Sequence, residues 1–372
     1  MDKLYRRSNS QGTVDSVLKG LAAFEQFALE RYPALRGLHV EYPYADGVVK
    51  AVRDQELDAL KLLDAFSAHL SRKTILLPDG TEAPLKPHTV HNLVFAVVGL
   101  FRFHDVQVPR EMFKEKVTLP KASEIEDRPV KAEQLRLLYS CAGPVTRALL
   151  LVLTSSGMRI GEASQVRVRD IDFETAKPAA VVHLRAETTK TDMARDVFIS
   201  DEAVQAVQAV LTLRKKQPDD LLFFPGKTSD PKRLRRYYNK LLVSVGRGHP
   251  EVLERVEGHS YYNLHLHNAG RKWFFSKVVG AVGETAAHAL MGHSFYLKTY
   301  YRRSLDERAA DYLRAMPLVS FLKGPGGSAG KHFSVRTVSK KDEPAVLRLL
   351  EDGYVYTQDL NGKAVYKKEA AW

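Results

Sequence analysis

At 372 residues the chain has room for two domains and an appendage, and 44% apolar with 27% charged residues excludes fibrous and intrinsically disordered classes. Fifty-six Lys+Arg against 44 Asp+Glu leave a net charge of +12, which favours a polyanionic partner, because neutralising phosphates releases counterions. One cysteine, Cys141, excludes a disulfide framework or a multi-cysteine metal site, and no apolar run approaches the roughly 20 residues of a membrane span.

The opening decapeptide MDKLYRRSNS lacks the apolar core of a signal peptide, so a cytoplasmic protein is expected. Val14 to Tyr32 places Val17, Leu18, Leu21, Phe24, Phe27, Ala28 and Leu29 on a helical stripe. Asp54 to Leu70 repeats the pattern with Leu57, Leu60, Leu63, Phe66 and Leu70. A Pro-Asp-Gly turn at 78–80 precedes a third helix from Pro87 to His104, apolar at Val90, Leu93, Val94, Val97, Val98, Leu100 and Phe101. His88, His91 and His104 share no tight face with a carboxylate and read as solvated or capping groups rather than metal ligands. Residues 1–108 therefore form a helical bundle. Residues 109–128 have no sustained period and carry Pro109 and Pro120, the composition of an interdomain linker.

Val130 to Ser155 predicts two helices, the second almost continuously apolar from Val145 to Leu153 and so buried. Cys141, in the first, reads as a small packing residue. Ser155-Ser-Gly157 breaks the run, and Met158-Arg-Ile-Gly-Glu162 opens the next helix. An arginine there suits an oxyanion, because backbone N–H groups, helix dipole and guanidinium fork converge. Val181–Arg185 and Arg195–Ile199 read as strands, joined by a polar turn that holds Lys190. After an amphipathic helix from Asp201 to Lys216, the stretch Asp230 to Lys240 is the densest in positive charge. Lys232, Arg233, Arg235, Arg236 and Lys240, interleaved with Tyr237 and Tyr238, suit contacts to a nucleic-acid backbone.

Leu264 to Arg303 concentrates the chemistry: His265, His267, Asn268 and Arg271 head an apolar helical run. A short helix, Glu284 to Met291, stops at Gly292, then come His293 and the pair Tyr300–Tyr301. A phenol among arginines and histidines suggests a covalent nucleophile on a phosphodiester. The tail begins with a Gly-rich linker at 324–330, followed by a short helix at 343–350 and a hairpin turning at Asn361-Gly362.

These boxes, GMRIGE, Thr-Lys-Thr, Arg271-Lys-Trp-Phe, Met-Gly-His-Ser and Tyr-Tyr-Arg, occur in an order that resembles the tyrosine recombinases of the phage integrase family, in particular their archaeal-type branch. The resemblance implies a mainly α fold with a small β-hairpin or sheet: an N-terminal helical core-binding (SAM-like) domain plus a tyrosine recombinase catalytic domain at 129–320. By composition, residues 321–372 are a flexible linker and small C-terminal module. The resemblance also implies a catalytic set of Arg159, Lys190, His267, Arg271, His293 and Tyr300 or Tyr301, supported by Glu162. One box departs from the pattern. The family has His-x-x-Arg, whereas Asn268 stands three before Arg271 and His267 four before; either fills the position, and relaxation of the backbone at Gly270 favours His267.

The expected activity is site-specific recombination of double-stranded DNA through a 3′-phosphotyrosyl intermediate, with no metal, cofactor or membrane and a homo-tetramer at synapsis. A type IB topoisomerase-like enzyme and a degenerate DNA-binding relative are the alternatives.

Overall fold

The structure, a computed structural model, describes residues 11–76, 82–121, 127–189, 192–256, 261–292, 303–323, 333–339, 342, 345, 346, 348, 354–360 and 363–369. The chain divides into two compact units, Met1–Ile125 and Glu126–Trp372.

The first unit is built on α1 (Gln11–Arg31), α2 (Pro43–Arg53), α3 (Ala59–Arg72), α4 (Pro87–Phe103) and α5 (Arg110–Lys116), with β1 (Thr74–Leu76) paired antiparallel to β2 (Glu82–Pro84). The apolar stripes of α1, α3 and α4 meet at a centre where Phe24, Phe66 and Phe101 are fully buried, the Phe24 ring edge-on to both others. Gly20 permits this approach, since a Cβ there would overlap the Ala96 methyl. Helix α2 has no side-chain N-cap of its own. Glu25 of α1 supplies one, accepting from Tyr44 N at 3.0 Å and Ala45 N at 2.6 Å, which satisfies two orphan donors at the positive end of the helix dipole.

The stretch read as a linker contributes to this core. Phe113 of α5 and Val117 are buried in it, and the backbone of Thr118 is held by Asp64 Oδ1 (2.8 Å) and Ser67 Oγ (2.6 Å). His91 Nε2 lies 2.9 Å from the Pro120 carbonyl. The turn at 78–80 lies outside the described residues.

The second unit contains α6 (Ala132–Cys141), α7 (Pro144–Ser156), α8 (Ile160–Ala163), β3 (Ile171–Asp172), β4 (Ala180–Leu184), β5 (Arg195–Ile199), α9 (Asp201–Arg214), α10 (Pro231–Gly246), α11 (Trp273–Val282), α12 (Glu284–Met291) and α13 (Leu305–Val319). Strands β3, β4 and β5 form one antiparallel sheet in that order. Strand alternation splits its residues between two cores. Val182, Leu184, Val197 and Ile199 pack with the buried run Ala148–Leu153 of α7. Val181 and Phe198 pack with Phe274, Val278, Leu290 and Tyr312 of α11, α12 and α13. Burial on both faces explains why apolar residues stand at consecutive positions in these strands.

Three strands near the C-terminus, β6 (Phe333–Ser339), β7 (Val355–Leu360) and β8 (Lys363–Glu369), form an antiparallel sheet in the order β6-β8-β7. The β7–β8 hairpin follows the Asn-Gly signal, whose residues lie outside those described. Cys141 corrects an expectation: it is exposed, because α6 turns its buried face through Leu135 and Leu138. Among the described residues no helix is long and apolar enough to cross a membrane.

Candidate active site

Helix α7 ends at Gly157, which takes the left-handed conformation (φ +62°). A Cβ there would stand 2.6 Å from the Phe274 ring, so the turn needs glycine twice over. The turn delivers Arg159 as the N-cap of α8. Its backbone N–H donates to Glu162 Oε2 at 2.7 Å, and its Nη1 donates to Oε1 at 2.9 Å. Glu162 is buried, 2% exposed. Burial alone would raise its pKa, but hydrogen bonds and charge from Arg195 and Arg159 outweigh it and hold the carboxyl below its ordinary range.

Arg195, at the head of β5, makes a two-pronged ion pair with the same carboxylate: Nη1 to Oε1 at 3.0 Å and Nη2 to Oε2 at 2.8 Å. Arg271 is also buried, and its Nη1 donates to the Gly157 carbonyl at 2.6 Å. Burial, then the charges of Arg159 and Arg195, push the Arg271 pKa down to about 10 against the pull of Glu162. It stays cationic at neutral pH. Two guanidinium groups thus pair with one carboxylate, a third lies near enough to feel its charge, and the local field is positive.

Arg271 sits in a π-helical turn, Asn268–Lys272, within a helix that begins at Leu266 and continues as α11. Inserting one residue into an α-helix rotates everything beyond it by about 100°. A wide i→i+5 turn accommodates one residue more than an α turn does, so the π turn at Asn268–Lys272 lets the chain run from His267 to Arg271 without rotating α11 off its core face. Gly270 does not take a positive φ, contrary to the backbone-freedom argument; it seats the turn against Leu153.

His267 and Asn268 part company here. Asn268 is buried, and its Nδ2 donates to the Asn263 carbonyl (2.8 Å) and the Arg128 carbonyl (3.0 Å). His267 remains exposed and stacks parallel on His265, with ring centroids 6.2 Å apart. Partial desolvation, and after it the charge of Arg271, lower the His267 pKa from the ordinary imidazole value. His265 Nε2 in turn lies 3.1 Å from Asp127 Oδ2, which also takes Lys272 Nζ at 2.5 Å.

Helix α12 ends at Gly292 in the left-handed conformation (φ +66°), as the sequence suggested. Lys190, His293, Tyr300 and Tyr301 lie outside the described residues. The helix that follows them, α13, opens on a Ser304–Glu307 capping box. Buried Tyr312 ties it to the Ser155 carbonyl at 2.8 Å, and Arg308 ties it to Asp196 at 2.7 Å. Lys232, Arg233, Arg235, Arg236 and Lys240 all lie on the exposed side of α10, opposite buried Leu234, Tyr238, Leu241 and Leu242. Arg233 donates to the Tyr237 hydroxyl at 2.5 Å and leans over its ring. Among the described residues no group of His, Cys, Asp or Glu could hold a metal ion.

Arg195 is the site residue that the sequence reading missed. A signal existed: it shares strand phase with inward-facing Val197 and Ile199, where a charge has to be paired.

Residues 130–262 match the model of the phage integrase family. The chain is 23% identical over 255 residues, 68% of its length and 76% of that protein, to tyrosine recombinase XerA of Saccharolobus solfataricus. Among solved structures, it is similar to a XerA recombinase (16% identity, TM-score 0.36, 81% of this chain and 93% of that one). It is also similar to lambda integrase residues 75–356 bound to DNA (13% identity, TM-score 0.45, 79% and 96%).

Proposed function

We propose that this chain, which belongs to the phage integrase family of tyrosine recombinases through its residues 130–262, cuts and rejoins double-stranded DNA at specific sites through a 3′-phosphotyrosyl intermediate. The observation that carries the reading is the gathering of Arg159, Arg195 and Arg271 about Glu162. Fixed cations in a partly desolvated place suit a phosphate whose charge builds in the transition state.

In this reading Arg159 and Arg271 pair with the nonbridging oxygens of the scissile phosphate. Tyr300, or its neighbour Tyr301, loses its proton and attacks phosphorus. The bond to the 5′ oxygen breaks, and Lys190 supplies that oxygen's proton. His293 donates to a nonbridging oxygen, and His267 fills the histidine position of the family box. The ester conserves the energy of the broken bond, so a 5′ hydroxyl of another strand reverses the step without ATP. The exposed cations of α10 hold the DNA backbone, and pairing of two sites calls for a tetramer.

Covalent trapping tests this. Nicked duplexes with randomised flanks are incubated with the protein, adducts are separated under denaturing conditions, and the captured strands and the modified peptide are identified. An adduct lost in only one of Tyr300→Phe and Tyr301→Phe names the nucleophile. Tight DNA binding with no adduct would leave a DNA-binding relative; relaxation of supercoiled DNA without recombinant product would leave a topoisomerase-like enzyme.

A further inference from the structure

We infer that Arg195 is a positioning residue: by saturating Glu162 it leaves the Arg159 guanidinium fork able to meet a phosphate. The inference rests on the recombinase reading and assigns a role that the family boxes do not carry. Each Glu162 oxygen accepts two bonds. Oε1 takes Arg159 Nη1 (2.9 Å) and Arg195 Nη1 (3.0 Å); Oε2 takes the Arg159 backbone N–H (2.7 Å) and Arg195 Nη2 (2.8 Å). A carboxylate with a free oxygen position draws a nearby guanidinium into a two-pronged pair. Arg195 occupies both oxygens, so Arg159 gives Glu162 only one guanidinium nitrogen, and its other donors have no partner among the described residues. Without Arg195, the fork of Arg159 would close onto Glu162 and turn from the substrate.

The same side chain meets a second box of the site. A Cβ on Gly292 would overlap Arg195 Nε and Cδ, so the Gly292 backbone rests directly on the Arg195 stem. Gly292 immediately precedes His293 in the chain. Arg195 Nε is buried and without a hydrogen-bond partner among the described residues, a cost the fold accepts to keep the planar fork aimed at Glu162. Arg195 thereby sets the Arg159 box and underlies the turn before the His293 box at once. Lysine, a single point charge, could neutralise Glu162 but could not occupy both oxygens.

The test compares wild type, Arg195→Lys and the double variant Glu162→Gln/Arg195→Gln, all full length. Three quantities are read: the single-turnover rate constant of adduct formation on the nicked randomised duplexes, the half-saturating DNA concentration, and the folded fraction at assay temperature. Arg195→Lys should lower the rate constant at saturating DNA about 10- to 100-fold, the size of a misplaced reacting group. Half-saturation should stay within about threefold, as for an interaction felt in the transition state. The double variant removes both buried charges, so it should stay folded and, with no carboxylate left to capture the Arg159 fork, be slowed less than Arg195→Lys. A wild-type rate constant in Arg195→Lys, or losses that track the folded fraction alone, would overturn the inference while the recombinase reading stands. No adduct from the wild-type protein would overturn both.

Discussion

Asn268 Nδ2 donates to the Asn263 carbonyl at 2.8 Å, and with its second bond, to the Arg128 carbonyl, it spends its amide donors on backbone. The residue three before Arg271 is thus a structural tie, while His267, one position earlier, keeps an exposed ring. The two variants should separate cleanly. Asn268→Ala leaves two carbonyls short of a donor and should cost about 1–3 kcal/mol of stability, visible as a lower Tm, with adduct formation per folded molecule little changed. His267→Ala should leave Tm nearly constant and slow adduct formation about 100-fold, the usual cost of one lost donor at a developing oxyanion. The opposite pattern would give the box position to Asn268.

Much of this was written locally in the chain. Helices α1, α3 and α4 follow from their apolar periodicity, and the Gly157 and Gly292 turns from chain punctuation. What escaped was non-local or atypical. Helix α2 is short and carries Gly47 at its middle, and its N-terminus is capped from Glu25, some 20 residues away. Residues 109–121 look like linker because α5 has barely two turns, yet Phe113 and Val117 anchor it. That four residues separate His267 from Arg271 was legible; that a π turn lies between them was not, because spacing alone does not say which helical period the backbone adopts. Arg195 reaches Glu162 across 33 positions, a pairing set by where β5 lies beside α8.

Gly157 combines a positive φ with a side-chain clash, so Gly157→Ala should be among the costliest single-methyl changes in the molecule. Left-handed strain contributes about 1–3 kcal/mol, and displacement of the Phe274 ring adds to it. Because the Gly157 carbonyl also receives Arg271 Nη1, cleavage should fall beyond what the folded fraction explains. Gly161→Ala is the control: a Cβ there meets nothing within 4 Å, and its stability should change by no more than about 1 kcal/mol. Denaturant unfolding of both variants decides the point; equal midpoints would refute the strained turn.

Acid stability should report on the Glu162 cluster. Its folded-state pKa lies below the ordinary value of 4.5, so Glu162 contributes stability that is complete above that value and lost as pH falls through the depressed one. Asp127 and Asp196 shift the same way, each against its own burial, through Lys272 with His265 and through His183 with Arg308. The informative quantity is therefore the difference between wild type and Glu162→Gln. The variant should be less stable at pH 7, where it leaves Arg195 buried without its counter-charge. The gap should narrow as pH drops below about 4.5. A pH-independent gap would mean that the carboxylate charge does not hold the cluster.

The exposed cations of α10 should act through phosphates rather than bases. Lys232, Arg235 and Lys240 have no acidic partner among the described residues, whereas Arg236 lies 3.5 Å from Asp230 and Arg233 is held against Tyr237. Replacing Arg235 or Lys240 by Ala should weaken binding to target and scrambled duplexes alike. Each loss should lower the slope of log K against log salt by about 0.9 if it removes one phosphate contact. Arg233 is oriented by the Tyr237 hydroxyl and ring, so it loses less side-chain freedom on binding. Arg233→Ala should therefore cost more affinity than Lys232→Ala at equal change in slope. Fluorescence anisotropy across a salt series measures both quantities. A loss confined to the target duplex would make α10 a reader of base sequence and overturn the phosphate assignment.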